Sequence, residues 1–198
     1  MAGKKVKTVD KWKSKKWYNV LAPAIFESRK LCEVIASDDK LLMDRIVRVS
    51  LHEVGISGGS SQLSMFTTLR FRIKGVSGTE ANSVLLGHEI SSSFMRTFAR
   101  RGKSLIHQVV DGETKDNEGI RLKIIAVTGA GVSANTKRNL RALIVEECKN
   151  YIASKGFDEA IQDVIYGRLS SKVFSRLKQI TKMRRVEVRK SERTETFK

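Results

Sequence analysis

Alternating apolar and polar residues predict a series of β-strands in the first two thirds of the chain. The clearest case is TTLRFRIKG (67–75), in which Leu69, Phe71 and Ile73 lie on one face and cationic residues lie on the other. We expect further strands at SRKLCEVIA (28–36), RIVRVSLHEV (45–54), KSLIHQVVDG (103–112) and GIRLKIIAVTG (119–129). Residues 55–62 and 75–89 are rich in glycine and serine, which favours loops.

Helical periodicity dominates the last third of the chain. KRNLRALIVEECKNYIASKG (137–156) carries an apolar stripe and ends on a glycine. A second helix is expected from Asp158, its predicted cap, to Tyr166, and the chain can continue helically through SSKVFSRLKQIT. A short helix capped by Ser91 or Ser92 should end at Ala99. MRRVEVRKS (183–191) alternates as a last strand, and strand hairpins followed by helices predict an α+β fold.

The charge is concentrated at both ends of the chain. Of 198 residues, 38 are Lys or Arg and 21 are Asp or Glu, which gives a net charge of +17. Residues 1–17 carry seven lysines against Asp10, residues 168–198 carry eleven basic and three acidic residues, and the middle is nearly balanced. We therefore predict a basic arm (1–17), a single domain (18–190) and a disordered tail (191–198).

Such clustered cations need an anionic partner, and RNA supplies one charge per phosphate. Trp12 lies among lysines and is expected to contact bases, whereas Trp17 and Tyr18 are expected to anchor the arm to the body. The predicted RNA-binding residues are Lys4, Lys5, Lys7, Lys11, Trp12, Lys13, Lys15, Lys16, Arg70, Arg72, Lys74, Arg100, Arg101, Lys137, Arg138, Arg141, Arg184 and Arg185.

Only one motif favours an enzyme. Gly129, Gly131 and Ala134 follow a strand and precede a helix, as in a dinucleotide fingerprint, but no second parallel strand with a terminal acid follows. We interpret this loop as a phosphate contact near Lys137. The histidines are scattered, the two cysteines are 116 positions apart, and the acidic residues of 111–118 do not match a calcium loop. The sequence predicts no catalysis, no cofactor and no metal.

No apolar run is long enough for a membrane span, and no signal peptide is visible. We expect a cytoplasmic protein that does not contact membranes.

Five segments, in order, resemble the small-subunit ribosomal proteins of the eukaryotic-type S-one, or S-three-Ae, family of archaea and eukaryotes. They are KKWYNVLAPAIF (15–26), RIVRVSLHEV (45–54), LRFRIKGVSG (69–78), GIRLKIIAVTG (119–129) and KQITKMRRVEVRKSE (178–192). The length is similar to that of archaeal members. The resemblance implies a β-barrel-like antiparallel body with C-terminal helices beside it, on the ribosomal platform near the messenger RNA exit. It also implies contacts with ribosomal RNA, neighbouring small-subunit proteins and messenger RNA.

The expected function is therefore that of a structural ribosomal protein that binds rRNA and supports translation. The alternatives are a freestanding RNA-binding protein that acts off the ribosome and a nucleotide-binding enzyme that uses residues 129–134.

Overall fold

The computed structural model describes residues 12–55 and 61–195. Within these ranges, short strands and helices precede a strand hairpin, three helices and a final long strand. The strands are β1 (Lys16–Leu21), β2 (Lys30–Ala36), β3 (Ile46–Ser50), β4 (Thr67–Ser77), β5 (Glu80–Ile90), β6 (Leu105–Glu113), β7 (Gly119–Thr128) and β8 (Met183–Arg193). The helices are α1 (Ser61–Phe66), α2 (Ser92–Arg96), α3 (Ala134–Ala153), α4 (Phe157–Ile165) and α5 (Arg168–Leu177).

The described strands are hydrogen-bonded in the order β2-β1-β5-β8-β7-β6, and β4 pairs with both β3 and β5. The pairs β1–β2, β5–β8, β6–β7 and β7–β8 are antiparallel, whereas β1 and β5 are parallel. The predicted α+β class with helices toward the C-terminus is confirmed. The pairing follows an open path, so "barrel-like" describes this sheet only loosely.

The chain divides into two compact units, where the sequence predicts one body. The first comprises Met1–Val47 and Phe71–Leu85, and the second comprises Arg48–Arg70 and Leu86–Lys198. In the first unit, Tyr18, Val20 and Ile73 belong to one buried apolar cluster. These side chains come from β1 and β4, and the burial of Ile73 matches the alternation predicted for residues 67–75.

In the second unit, β6, β7 and β8 form a sheet, and α3 and α5 pack against it. A Cβ added at Gly112 of β6 would lie 3.3 Å from the Ile152 side chain of α3, so glycine allows this helix to approach closely. On the opposite face, Phe94 and Phe98 pack with Ile125 and Val127 of β7. Burial of these apolar side chains is the main force that holds the two layers together.

The loop predicted at residues 75–89 is instead a strand. β4 continues to Ser77, a turn with Gly78 at a φ of 63° follows, and β5 begins at Glu80. Ala81 and Ser83 are buried, but such small side chains give a weak alternation signal. Conversely, β3 ends at Ser50, so the predicted strand 45–54 is too long. Residues 56–60 of the predicted loop at 55–62 lie outside the described residues.

The predicted disordered tail at 191–198 is wrong for its first part. β8 extends to Arg193, Ser191 is fully buried, and the Thr194 N–H donates to the Gly119 carbonyl at 2.8 Å. The polar residues here form hydrogen bonds to neighbouring strands: Ser191 bonds to His88 of β5, and Thr194 bonds to Gly119 of β7. Residues 196–198 lie outside the described part of the chain.

Helix boundaries differ from the predictions by a few residues. α3 begins three residues earlier, where the Ser133 side chain accepts the Thr136 N–H, and α2 ends at Arg96 rather than Ala99. α4 begins after Gly156, and its first N–H, that of Phe157, donates to the Asp116 carboxylate at 3.0 Å. The acidic hairpin loop therefore caps a helix, which is the role that the sequence predicted for Asp158.

A buried histidine joins the end of β5 to β8. The His88 Nε2 lies 3.0 Å from the Val188 carbonyl oxygen, and Nδ1 lies 2.7 Å from the Ser191 Oγ. Because a carbonyl can only accept, Nε2 carries the proton, and Nδ1 accepts from the serine hydroxyl. Burial lowers the pKa of His88 to about 4, so the ring is neutral at pH 7.

This histidine should make the stability of the protein depend on acidity. Its folded pKa lies below its unfolded value, so its contribution is complete above about pH 6.5 and is lost as the pH falls through 4. We expect the free energy of unfolding to decrease by roughly 2 to 3 kcal/mol more in the wild type than in His88→Gln between pH 7 and 4.5. Urea unfolding measures the difference.

His52→Gln is the matched control, because His52 is exposed. That variant should keep the full pH dependence of the wild type. Equal pH dependence in the wild type and His88→Gln would contradict a neutral, hydrogen-bonded His88.

Candidate nucleic-acid interface

Three segments without acidic residues meet at one end of the β6–β7–β8 sheet. Residues 99–105, 129–138 and 178–186 contain no Asp or Glu. Leu105, at the start of β6, pairs with Val127 of β7, and Thr128, at the end of β7, pairs with Met183 at the start of β8. The loops before β6, after β7 and before β8 therefore lie side by side.

Hydrogen bonds fix the glycine loop against its two neighbours. The Gly129 N–H donates to the Lys182 carbonyl at 2.7 Å, and the Val132 N–H donates to the Ser104 Oγ at 3.2 Å. A Cβ at Gly131 would lie 3.9 Å from the Gly102 carbonyl oxygen. The glycines thus serve close packing of loops, and the N-terminus of α3 comes directly after this packed loop.

The loops and the first turns of α3 bring together seven cations, which we call the cationic end. Their side chains are exposed or half-buried, and none forms an ion pair with a carboxylate of the described residues. The cationic end consists of Arg100, Arg101, Lys103, Lys137, Arg138, Lys182 and Arg184. Because like charges at close range repel, this surface favours an anionic partner.

Arg141 extends the cationic surface along α3. It is exposed, and it lies near His107 of β6 together with Arg189 of β8. Burial, and then the charges of Arg189 and Arg141, lower the pKa of His107. Burial and the two cations therefore favour the neutral form of His107.

Several cations elsewhere in the second unit are paired with carboxylates, most densely around Glu192. Glu192 of β8 lies 3.1 Å from Arg70, 3.1 Å from Lys123 and 2.6 Å from Lys190. Burial opposes ionisation of Glu192, but hydrogen bonds from these three cations outweigh it and lower the pKa to about 2. This part of the sheet is locally neutralised, in contrast to the cationic end.

Arg185, one of the predicted RNA-binding residues, has a packing role. Its Nε donates to Glu187 at 2.9 Å, and its guanidinium lies 5.2 Å and 4.9 Å from the ring centres of Phe94 and Phe98. The side chain is half-buried and links α2 to the sheet through cation–π contacts. Its neighbour Arg184 points to the opposite side of the strand and is exposed.

The predicted row of exposed cations on β4 is wrong. Arg72 is buried, with its Nη1 3.8 Å from the Asp44 carboxylate, and Arg70 is bound to Glu192. Lys74 is exposed. Alternation assigned the three residues to one face correctly, but it carries no information about what covers that face.

The described part of the basic arm begins at Trp12, so Lys4, Lys5, Lys7 and Lys11 lie outside the described residues. Trp12 is 65% exposed, and the Lys15 ammonium lies 4.4 Å from its ring centre. Lys13 and Lys16 are also exposed. Tyr18 is buried and donates to Asp39 at 2.6 Å, whereas Trp17 is 60% exposed. Anchoring is thus confirmed for Tyr18 and wrong for Trp17.

Sequence patterns alone missed two members of the cationic end, Lys103 and Lys182. Lys103 follows the predicted Arg100 and Arg101, and Lys182 precedes the predicted Arg184 and Arg185. Both belong to the site because the strand pairing joins their loops. The available signal was that the loops before β6 and before β8 both lack acidic residues.

Two further kinds of chemical site were considered in the sequence: a reactive cysteine and a metal centre. Burial raises the pKa of the Cys148 thiol to about 12, which leaves it protonated and unreactive at pH 7. Over residues 12–55 and 61–195, no group of three or more His, Cys, Asp or Glu side chains is arranged to hold a metal ion. No helix in these ranges has both the length and the apolar character to cross a membrane.

A small basic α+β chain with unpaired cations gathered at one end of its sheet has the charge distribution typical of proteins that bind nucleic acid. The chain belongs to the ribosomal S3Ae family, whose model matches residues 3–196. The resemblance seen in the sequence is confirmed. The chain is thus of the structural, ribosomal class, and the hypothesis of a nucleotide-binding enzyme is wrong.

Curated relatives agree with this assignment along nearly the whole chain. The small ribosomal subunit protein eS1 of Methanobrevibacter smithii is 35% identical over 182 residues, which cover 92% of each chain. The eS1 protein of Sulfolobus acidocaldarius is 34% identical over 193 residues and 96% of each chain. The eS1 protein of Sulfurisphaera tokodaii is 33% identical over 182 residues and 92% of each chain.

Paired and unpaired cations should differ in their effect on stability. Glu192→Gln removes the charge that holds three cations, so we expect the free energy of unfolding at pH 7 to fall by roughly 1 to 2 kcal/mol. Because the folded pKa of Glu192 is lowered, this difference should be present above pH 4.5 and disappear as the pH falls toward 2.

Replacing Arg100, Arg101 and Arg184 by glutamine should leave stability unchanged or raise it slightly, because only mutual repulsion is removed. Urea unfolding at low salt compares the two variants. A large loss in the triple variant would show that these arginines have carboxylate partners within the fold.

Proposed function

We propose that the chain binds ribosomal RNA of the small subunit through its cationic end and its basic arm. The observation that carries the proposal is the separation of the second unit into a neutralised sheet region around Glu192 and a cationic end without carboxylate partners among the described residues. A folded protein gains nothing from such a cluster in isolation, whereas phosphates neutralise it and release counterions.

Family membership supports a finer assignment within the ribosome. From its resemblance to the S3Ae family, we propose that the chain lies on the platform of the small subunit near the messenger RNA exit and supports translation. Neighbouring small-subunit proteins are its proposed protein partners, and messenger RNA is a further proposed contact. Trp12, Lys13, Lys15 and Lys16 are proposed to contact RNA, since their side chains are exposed.

The salt dependence of RNA binding tests the cationic end. Changing Arg100, Arg101 and Arg184 to glutamine should reduce the slope of log affinity against log salt by about 2 to 3 units, because each lost phosphate contact removes roughly 0.7 to 0.9. Binding of a small-subunit rRNA transcript at several potassium concentrations measures the slope.

A variant with Lys115, Lys149 and Lys172 changed to glutamine is the control. It loses the same net charge from exposed side chains outside the cationic end. We expect its slope to change by less than half as much. Equal slopes in the two triple variants would mean that net charge alone, rather than this surface, governs binding.

The basic arm makes a second, separable prediction. Because β1 begins at Lys16, residues 1–15 can be deleted without removing a strand residue. This deletion removes six lysines, and the slope should fall by about 4 to 5 units if each lysine meets a phosphate. The same titration measures it.

Replacing those six lysines by arginine, which keeps every charge, should preserve most of the slope. A deletion that leaves the slope unchanged would show that the arm does not contact the RNA.

A further inference from the structure

A cavity of about 400 Å³ opens in the second unit between α5 and the start of β8. Its walls include Tyr166, Ser170, Phe174, Arg184 and Glu187. It adjoins the cationic end through Arg184, which belongs to both. Any role of this cavity in RNA recognition rests on the proposed binding of rRNA by the cationic end.

The backbone creates the cavity. Gly167 adopts a φ of 76°, so α4 ends and α5 starts in a new direction, which leaves Tyr166 at the corner with 40% of its surface exposed. On the side of α5 that lines the cavity, Ser170 and Ser171 are short and leave space beside β8. An aromatic residue therefore stands at the edge of a concave surface rather than in the core.

The aromatic wall is held in place. The guanidinium of Arg168 lies 5.8 Å from the ring centre of Tyr166, and its Nη1 donates to Asp163 at 2.9 Å. Asp163 also accepts from the Tyr151 hydroxyl at 2.8 Å. This arrangement fixes a cation on the tyrosine ring, and Phe174 adds a second, half-buried aromatic side chain to the wall.

The charged side chains that line the cavity are the carboxylate of Glu187, which is paired with Arg185, and the exposed cation of Arg184. Glu187 accepts from Arg185 through Oε1, and its Oε2 has no hydrogen-bond partner among the described residues. Burial raises the pKa of Glu187, so this carboxylate gains from a ligand that supplies N–H donors. Arg184 at the rim is exposed and without a carboxylate partner in the described chain, which suits a phosphate.

An aromatic wall, a carboxylate and a rim arginine match the parts of one nucleotide. Unpaired RNA bases are recognised by stacking on aromatic rings and by hydrogen bonds to their Watson–Crick edges. Guanine is the base whose Watson–Crick edge presents two adjacent donors, N1–H and the N2 amino group, to a carboxylate. A basic protein segment fits less well, because Arg184 and Arg185 line the cavity and Arg168 lies beside the Tyr166 ring.

We propose that this cavity receives an unpaired guanine of small-subunit rRNA. Tyr166 stacks on the base, Glu187 accepts from N1–H and N2–H, and Arg184 binds an adjacent phosphate.

Chemical probing of guanine in the rRNA complex tests this site. A reagent that modifies N1 and N2 of unpaired guanines is applied to a small-subunit rRNA transcript, free and bound to the protein. We expect the wild type to protect an unpaired guanine that Tyr166→Ala leaves reactive. Loss of one stacked base should weaken binding roughly 5- to 100-fold without changing the salt slope, since no charge is lost.

Two further variants sharpen the assignment. Ile180→Ala is the matched control, because Ile180 is 42% exposed in the same unit but does not line the cavity, and it should retain protection. Replacing the protected guanine by adenine should weaken binding by the wild type, and the same replacement should have little effect in Tyr166→Ala. Glu187→Gln should reduce this preference for guanine.

The outcomes separate this site from the proposed function. If the arginine variants of the cationic end flatten the salt slope while Tyr166→Ala and the wild type protect the same guanines, the cavity is not a base site and rRNA binding stands. If no variant alters RNA binding, the proposed function fails as well. A photoreactive side chain placed at position 170 that crosslinks to a ribosomal protein in reconstituted subunits, and not to rRNA, would also overturn the proposal.

Discussion

The close approach of β5 to β8 at Gly87 is the constraint on which the second unit depends. A Cβ at Gly87 would lie 2.0 Å from the Ser191 carbonyl oxygen, so no other residue permits this contact. The next residue, His88, completes it with hydrogen bonds from its backbone and ring to β8. β8 in turn pairs along β7, and its two ends carry Arg184 and Glu192. The strand that this contact holds thus carries both the exposed Arg184 and the carboxylate that pairs with three cations.

The distribution of charge, rather than its total, distinguishes this protein. A net charge of +17 suits many partners. The range of suitable partners is narrower, because carboxylates neutralise the cations around Glu192, whereas those of the cationic end have no carboxylate partner among the residues that the structure describes. Because the chain belongs to the ribosomal S3Ae family, rRNA is the anionic partner that we propose for the cationic end. Structural ribosomal proteins stabilise folded RNA by supplying charge in fixed geometry, and a rigid sheet end does so at a low entropic cost.

Much of the fold could be predicted from the sequence, because long elements have strong periodicity. α3, β7 and the buried face of β4 emerged from apolar spacing alone. β5 could not, since Ala81, Ser83 and Gly87 are too small to produce an alternation signal. The site was predictable only in part. Arg184 was predicted from the basic run in which it lies. Lys182 belongs to the site because the pairing of β7 with β8 brings its loop there. Arg72 does not, because it is buried, and no local sequence pattern indicates that burial.

The separation of paired from unpaired cations also gives the second unit an electric moment. A rigid body whose positive charge is displaced toward one end experiences a torque in the field of a polyanion. Under the proposed binding of rRNA, this torque would orient the unit before contact, with the loops around Gly129 toward the RNA. The proposed interface would then favour one orientation of approach and so raise the fraction of productive collisions with rRNA.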